Sequence, residues 1–159
     1  MAETILVIDD DPAMLDFLAK SLAPEGFTVS TAGSGLDGIN QAIAHPPDLI
    51  LLDLRMPVRD GWGVCKTLRT NPGTQRIPII VVTGVLAPGQ LGEAMAAGAD
   101  DLAFKPIDLA DLLIRIRAML DCRGIDDPVE RRTRYLELAR EMSAKSVPVH
   151  PPAGNESGH

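Results

Sequence analysis

Four apolar runs of this chain each lead into a side chain that can do chemistry. Leu6–Ile8 run into Asp9-Asp10-Asp11, Leu49–Leu52 into Asp53, Ile79–Val82 into Thr83, and Leu102–Phe104 into Lys105. A charge at the edge of an apolar core is costly unless something compensates it. Carboxylates gathered in one place repel one another and demand a cation. Hard oxygen ligands with open coordination positions suit magnesium, which keeps several waters and accepts phosphate oxygens. Lys105 would add a fixed positive charge and Thr83 a hydroxyl donor. A carboxylate in such company is equipped to attack a phosphoryl group and hold it as an aspartyl phosphate. On that chemistry Asp53 is the expected acceptor.

Short apolar or β-branched runs at Thr4–Asp9, Phe27–Ala32, Leu49–Asp53, Pro78–Thr83 and Asp101–Phe104 read as strands. Segments of helical spacing alternate with them. Asp11 with Pro12 signals a helix start, Leu15, Leu18 and Leu22 mark its inner face, and Gly26 closes the unit. Ser34 caps a second helix through Ala44, with Ile39 and Ile43 inward. A third covers about Gly61–Thr70 and a fourth, rich in Gly and Ala, about Gln90–Ala97. The fifth starts at Asp108, with Leu109, Leu112, Leu113, Ile116 and Leu120 on its buried side. Five strand–helix units with continuous apolar strands predict a doubly wound (βα)5 three-layer sandwich around a five-stranded parallel sheet. In such sheets functional groups gather beyond the carboxyl ends of the strands, near the switch in strand order. That is where the four reactive positions fall.

Hydrophobic residues make up 45% of the 159, but only one Trp, one Tyr and three Phe are among them, so the core must be aliphatic. The net charge of −7 argues against bulk electrostatic binding to nucleic acid or an anionic membrane. No apolar run reaches the roughly 18 residues of a membrane span, and the acidic start MAETILVIDDD is unlike a signal peptide. A cytoplasmic protein is expected. Cys65 and Cys122 form no metal or redox spacing. The division expected is one domain over residues 1–122, a helical extension over 123–145 and a disordered tail over 146–159. From residue 123 onward six basic and six acidic residues cancel, so the whole −7 belongs to the first 122. Asp127–Lys145 reads as a helix with Tyr135, Leu138 and Met142 on one stripe.

Together, LVIDDDP (Leu6–Pro12), LLDLRMPVRDGW (Leu51–Trp62), VVTG (Val81–Gly84) and FKPID (Phe104–Asp108) resemble the receiver domain of two-component response regulators, over residues 3 to about 122. The resemblance implies a flavodoxin-like fold and Asp53 as the phosphoacceptor from a histidine kinase. It implies magnesium held directly by Asp10 and Asp53, with Asp9 acting through a metal-bound water and the Arg55 carbonyl completing the site. Thr83 and Lys105 would contact the phosphoryl oxygens, with backbone groups of Arg55 and Gly84 nearby, and Lys105-Pro106 would be a cis peptide. The partners implied are a histidine kinase and a downstream protein target or a second copy of the chain. No nucleic acid is expected as a partner, nor catalysis as an enzyme.

Two other readings use the same residues. A pseudo-receiver would bind partners without taking phosphate, but intact Asp9, Asp10, Asp53, Thr83 and Lys105 argue against it. A phosphatase of the haloacid dehalogenase type needs a carboxylate two residues after its nucleophile, where this chain has Arg55. Three departures from the receiver pattern stand out. Leu102 occupies the position three before the lysine where Tyr or Phe is common. Phe104 is expected out of register with it, and Gly84 should keep the approach to Thr83 open. Arg55 and Val85 are expected to flank the path of attacking water, Arg55 shielding the phosphoryl group. His45, His150 and His159 lack the helical context of a phosphodonor.

Overall fold

The computed structural model describes residues 2–53, 58–84 and 89–146. Strands β1 (Thr4–Ile8), β2 (Thr28–Ala32), β3 (Leu49–Asp53), β4 (Ile79–Thr83) and β5 (Asp101–Phe104) form one parallel sheet in the order β2-β1-β3-β4-β5. This is the doubly wound, flavodoxin-like α/β order, with the chain reversing its direction of growth between β1 and β3. The helices are α1 (Pro12–Leu22), α2 (Gly35–Ala44), α3 (Val58–Thr70), α4 (Gln90–Ala97), α5 (Leu109–Cys122) and α6 (Pro128–Ser146).

Alternation along the central strands sends neighbouring residues to opposite faces of the sheet. Leu6, Ile8, Ile50, Leu52, Ile79, Val81 and Leu102 build one cluster with Ala42 of α2, Trp62, Cys65 and Leu68 of α3, and Ala94 and Ala97 of α4. Ile5, Val7, Leu49, Leu51, Ile80 and Val82 point the other way and are equally inaccessible, as are Leu18 and Leu22 of α1. Both faces being covered explains why β3 and β4 are apolar without alternation.

The capping signals act as the sequence suggests. Asp11 accepts from the Ala13 N–H, Ser34 from Asp37, Asp108 from Asp111 and Asp127 from Glu130, at 3.0–3.1 Å. Each side chain satisfies an N–H that the helix cannot. Gly26 takes φ 99° and closes the turn after α1.

Three expectations are corrected. Ile43 is 45% exposed, while the inner face of α2 is Gly38 and Ala42 with Ile39 partly buried. A Cβ on Gly38 would lie 2.4 Å from Ile8 Cδ1, so α2 approaches β1 too closely for a larger side chain there. Helix α3 starts at Val58, three residues before the expected Gly61. On α5, Leu112, Ile116 and Leu120 are buried, but Leu109 and Leu113 are only half-buried.

At the amino end of β4, Arg69 of α3 holds four acceptors. Its guanidinium donates to the carbonyls of Gly98, Gln75 and Ile77 and to Asp100 Oδ2, at 2.6–3.1 Å. Asp100 Oδ2 also takes the Ile79 N–H at 2.8 Å. Gly98 ends α4 in the left-handed region, and a Cβ on it would lie 2.5 Å from Arg69 Cγ. At its other end α4 starts from Gly89, φ 89°, with no side-chain cap.

The chain divides into compact units at Leu112/Leu113. Within the second unit, Arg131 donates to the Ile125 carbonyl at 2.7 Å, and α6 buries Tyr135 with Leu138 and Met142 half-buried on the same stripe. Among the described residues no helix is long and apolar enough to cross a membrane.

Candidate functional site

Strand register carries the reactive residues to one edge of the sheet. Ile8 pairs with Leu52, so Asp9 and Asp53 emerge side by side where the strand order switches. Asp53 pairs with Val82 and Thr83 with Phe104, so Thr83 and Lys105 follow one step further along. The Lys105 N–H donates to the Thr83 carbonyl at 2.7 Å, and the Lys105-Pro106 peptide is cis.

Asp9 and Asp53 are each 1% exposed and Thr83 is 4% exposed, whereas Asp10 lies at the surface. Lys105 Nζ stands 2.5 Å from Asp53 Oδ1. That contact is an ion pair without the alignment of a hydrogen bond, so neither Asp53 oxygen has a directed donor among the described residues. Asp9 Oδ1 accepts from the Asp11 N–H at 3.2 Å, while Asp9 Oδ2 has no hydrogen-bond donor among the described residues. Three buried carboxylate oxygens without donors are rare in folded proteins.

Their environment resists ionisation. Burial pushes the Asp9 carboxyl up from 3.8 to about 7, and the nearby Asp53 charge pushes it the same way. The Asp11 N–H and Lys105 oppose that rise. Asp53 is also raised by burial, against the pull of Lys105. A cation beside these oxygens would offset the cost of burying both charges.

The donor set fits magnesium. Among the described residues no three His, Cys, Asp or Glu side chains form a ready-made cage. Magnesium is commonly held by one or two carboxylates while it keeps its waters, so two buried carboxylates with an exposed third beside them suffice. Thr83 lies at the same edge, and a Cβ on Gly84 would meet nothing within 4 Å among the described residues. Arg55 and Val85 lie outside the described residues.

Residues 5–117 match the response regulator receiver domain family. The chain belongs to that family. Among curated relatives, the DNA-binding dual master transcriptional regulator RpaA of Synechocystis sp. is 40% identical over 147 residues, 91% of this chain and 58% of RpaA. This receiver chain therefore spans little more than half the length of that relative. A CheY-like receiver domain protein from Methanospirillum hungatei superposes with a TM-score of 0.72 at 28% identity, covering 78% of this chain and 98% of its own. The receiver domain of sensor histidine kinase PA1611 from Pseudomonas aeruginosa superposes with a TM-score of 0.69 at 26% identity, covering 76% and 99%. That structure is described with a magnesium ion coordinated in its active site cleft.

Of the residues singled out in sequence, the receiver fold brings Asp9, Asp53, Thr83 and Lys105 together and leaves Asp10 at the rim. Leu102 is buried in the helix-facing cluster and Phe104 is 54% exposed. The two are two residues apart and share a parity, so alternation does not separate them. Phe104 lies at the end of β5, beyond the cover that Leu102 receives. The tie from the Asp11 N–H to Asp9 went unread in sequence, although the cap two residues after Asp9 marks the place.

Proposed function

We propose that this receiver accepts a phosphoryl group on Asp53 from a histidine kinase and signals by the change that follows. The observation that carries the reading is the trio of buried oxygens on Asp9 and Asp53, without directed donors, beside Lys105. An Asp53 oxygen attacks phosphorus, the phosphorus–nitrogen bond of the donor histidine breaks, and its electron pair leaves with the imidazole. Asp9, Asp10, Asp53 and the Arg55 carbonyl would hold magnesium, which supplies positive charge to the transferring phosphoryl oxygens. Lys105, already within reach of Asp53, moves its ammonium group onto a phosphoryl oxygen, a charge-assisted contact. The Thr83 hydroxyl and the Gly84 N–H turn to the others.

New contacts of this kind bias a two-state element. The element is the loop after β4 with the surface from about residue 90 to 120, and the output is a contact with a protein target or a second copy. On this reading the receiver proper takes in residues 1–122 and α6 is an extension to it.

The test is labelling with acetyl phosphate and magnesium, followed by intact mass. The wild-type chain should gain one phosphoryl group, labile to hydroxylamine, and Asp53→Asn should gain none. Equal labelling of Asp53→Asn would place the acceptor elsewhere.

A further inference from the structure

Three hydrogen-bonding groups of Asp11, its carbonyl, its side chain and its N–H, tie it to its surroundings. Its carbonyl accepts the Met14 and Leu15 N–H groups at 3.1 Å, which starts α1. Its Oδ1 accepts the Ala13 N–H at 3.1 Å, and Pro12 in the first helical position presets the turn. Its own N–H, in extended backbone at φ −96° and ψ 110°, donates to Asp9 Oδ1 at 3.2 Å. The Asp9 backbone is held from the other side by a 3.1 Å bond from its N–H to the Ala32 carbonyl. The sheet thus fixes the Asp9 main chain, while the start of α1 fixes its carboxylate.

We propose that Asp11 is a positioning residue for the cation site. By capping α1 it holds its N–H on Asp9 Oδ1, which leaves Asp9 Oδ2 as the oxygen turned to the metal. A short carboxylate one residue past a strand can rotate about its first side-chain bond, and repulsion from Asp53 favours rotation away. One oxygen tied to a rigid N–H prevents that. Removing the cap loosens the first turn of α1 and frees the tie. The inference rests on the metal reading above and specifies how that site is kept in shape.

The experiment compares Asp11→Ser with Asp11→Ala in the full chain. Both substitutions remove the charge, but serine caps a helix and alanine does not. Magnesium affinity is measured by titration calorimetry at fixed ionic strength, and the residue 11 amide proton shift is read by NMR before metal is added. The serine variant should bind within about threefold of wild type, and the alanine variant about tenfold more weakly than serine, the order expected from losing a cap. The amide should keep its hydrogen-bonded shift in the serine variant and lose it in the alanine variant. Equal affinities for the two variants would overturn the proposal, whether both match wild type or both are weakened, since the second result would assign the effect to charge. Should the alanine variant not fold, Asp11→Gly, which lacks the side-chain acceptor but tolerates the cap position, replaces it. If wild type binds no magnesium, the metal reading itself fails, and an unchanged amide shift in the uncapped variant would separately refute the tie.

Discussion

A metal-free receiver of this sequence should become less stable as pH rises towards neutrality, and Asp9 is the cause. Its carboxyl moves from 3.8 to about 7 on folding, first through burial and then through the Asp53 charge. Between those values the folded chain holds a proton that the unfolded chain has released. The slope of unfolding free energy with pH follows protons bound unfolded minus folded, so here it is negative. Below 3.8 both states are protonated and the contribution vanishes, while above about 7 both are ionised and the loss is complete. The gap of about three pH units, at about 1.4 kcal/mol each, bounds the loss at about 4 kcal/mol. Asp9 titrates together with Asp53, so the realised loss lies below that bound. Asp53 is shifted the same way and adds to the trend. The assay is urea unfolding in chelator, from pH 5 to 7.5, followed by the fluorescence of Trp62, the sole tryptophan and 5% exposed. The midpoint should fall across the range in wild type. It should be higher and flatter in Asp9→Asn, which keeps the shape without the charge. A wild-type midpoint that is constant or rising, or an equal fall in Asp9→Asn, would refute the reasoning.

Two further outcomes follow from packing. Gly38→Ala places a Cβ 2.4 Å from Ile8 Cδ1 in a fully packed region, at a cost of about 1–3 kcal/mol that the better helix propensity of alanine only partly offsets; a thermal midpoint equal to wild type would show that α2 can retreat. Arg69→Met strips donors from three carbonyls and from Asp100 and should cost about 2–4 kcal/mol. Arg69→Lys should recover little of it, because one ammonium cannot span those acceptors; a lysine variant with wild-type stability in urea would contradict that.

The placement of Asp53 was readable from sequence because an aspartate after four apolar residues has no packing role. Parallel strand direction then fixes which end of the sheet it reaches. The caps at Asp11, Ser34 and Asp108 were readable because each sits directly before a periodic segment. Ile43 was misplaced because hydropathy favours large side chains inside, whereas the close approach of α2 to β1 admits only Gly38 and Ala42. The early start of α3 was missed since Gly61 and Gly63 weaken its helical signal. The Arg69 brace joins residues about 30 positions apart in the chain, and no local pattern announces it. Phe104 was misjudged by parity when its position at the strand's end decides its exposure.

Helix α4 is a cantilever. Its far end is clamped, with Gly98 seated under Arg69 and its carbonyl held at 3.0 Å. Its near end leaves Gly89 without a side-chain cap. Eight residues at about 1.5 Å each give a beam of about 12 Å. On the proposed switch, movement of Thr83 and Gly84 would enter α4 at the end without a side-chain cap and die away towards the clamp. A surface built on α4 would then have one rim that shifts and one, beside Asp100, that stays, so a partner gripping both would sense the bend itself.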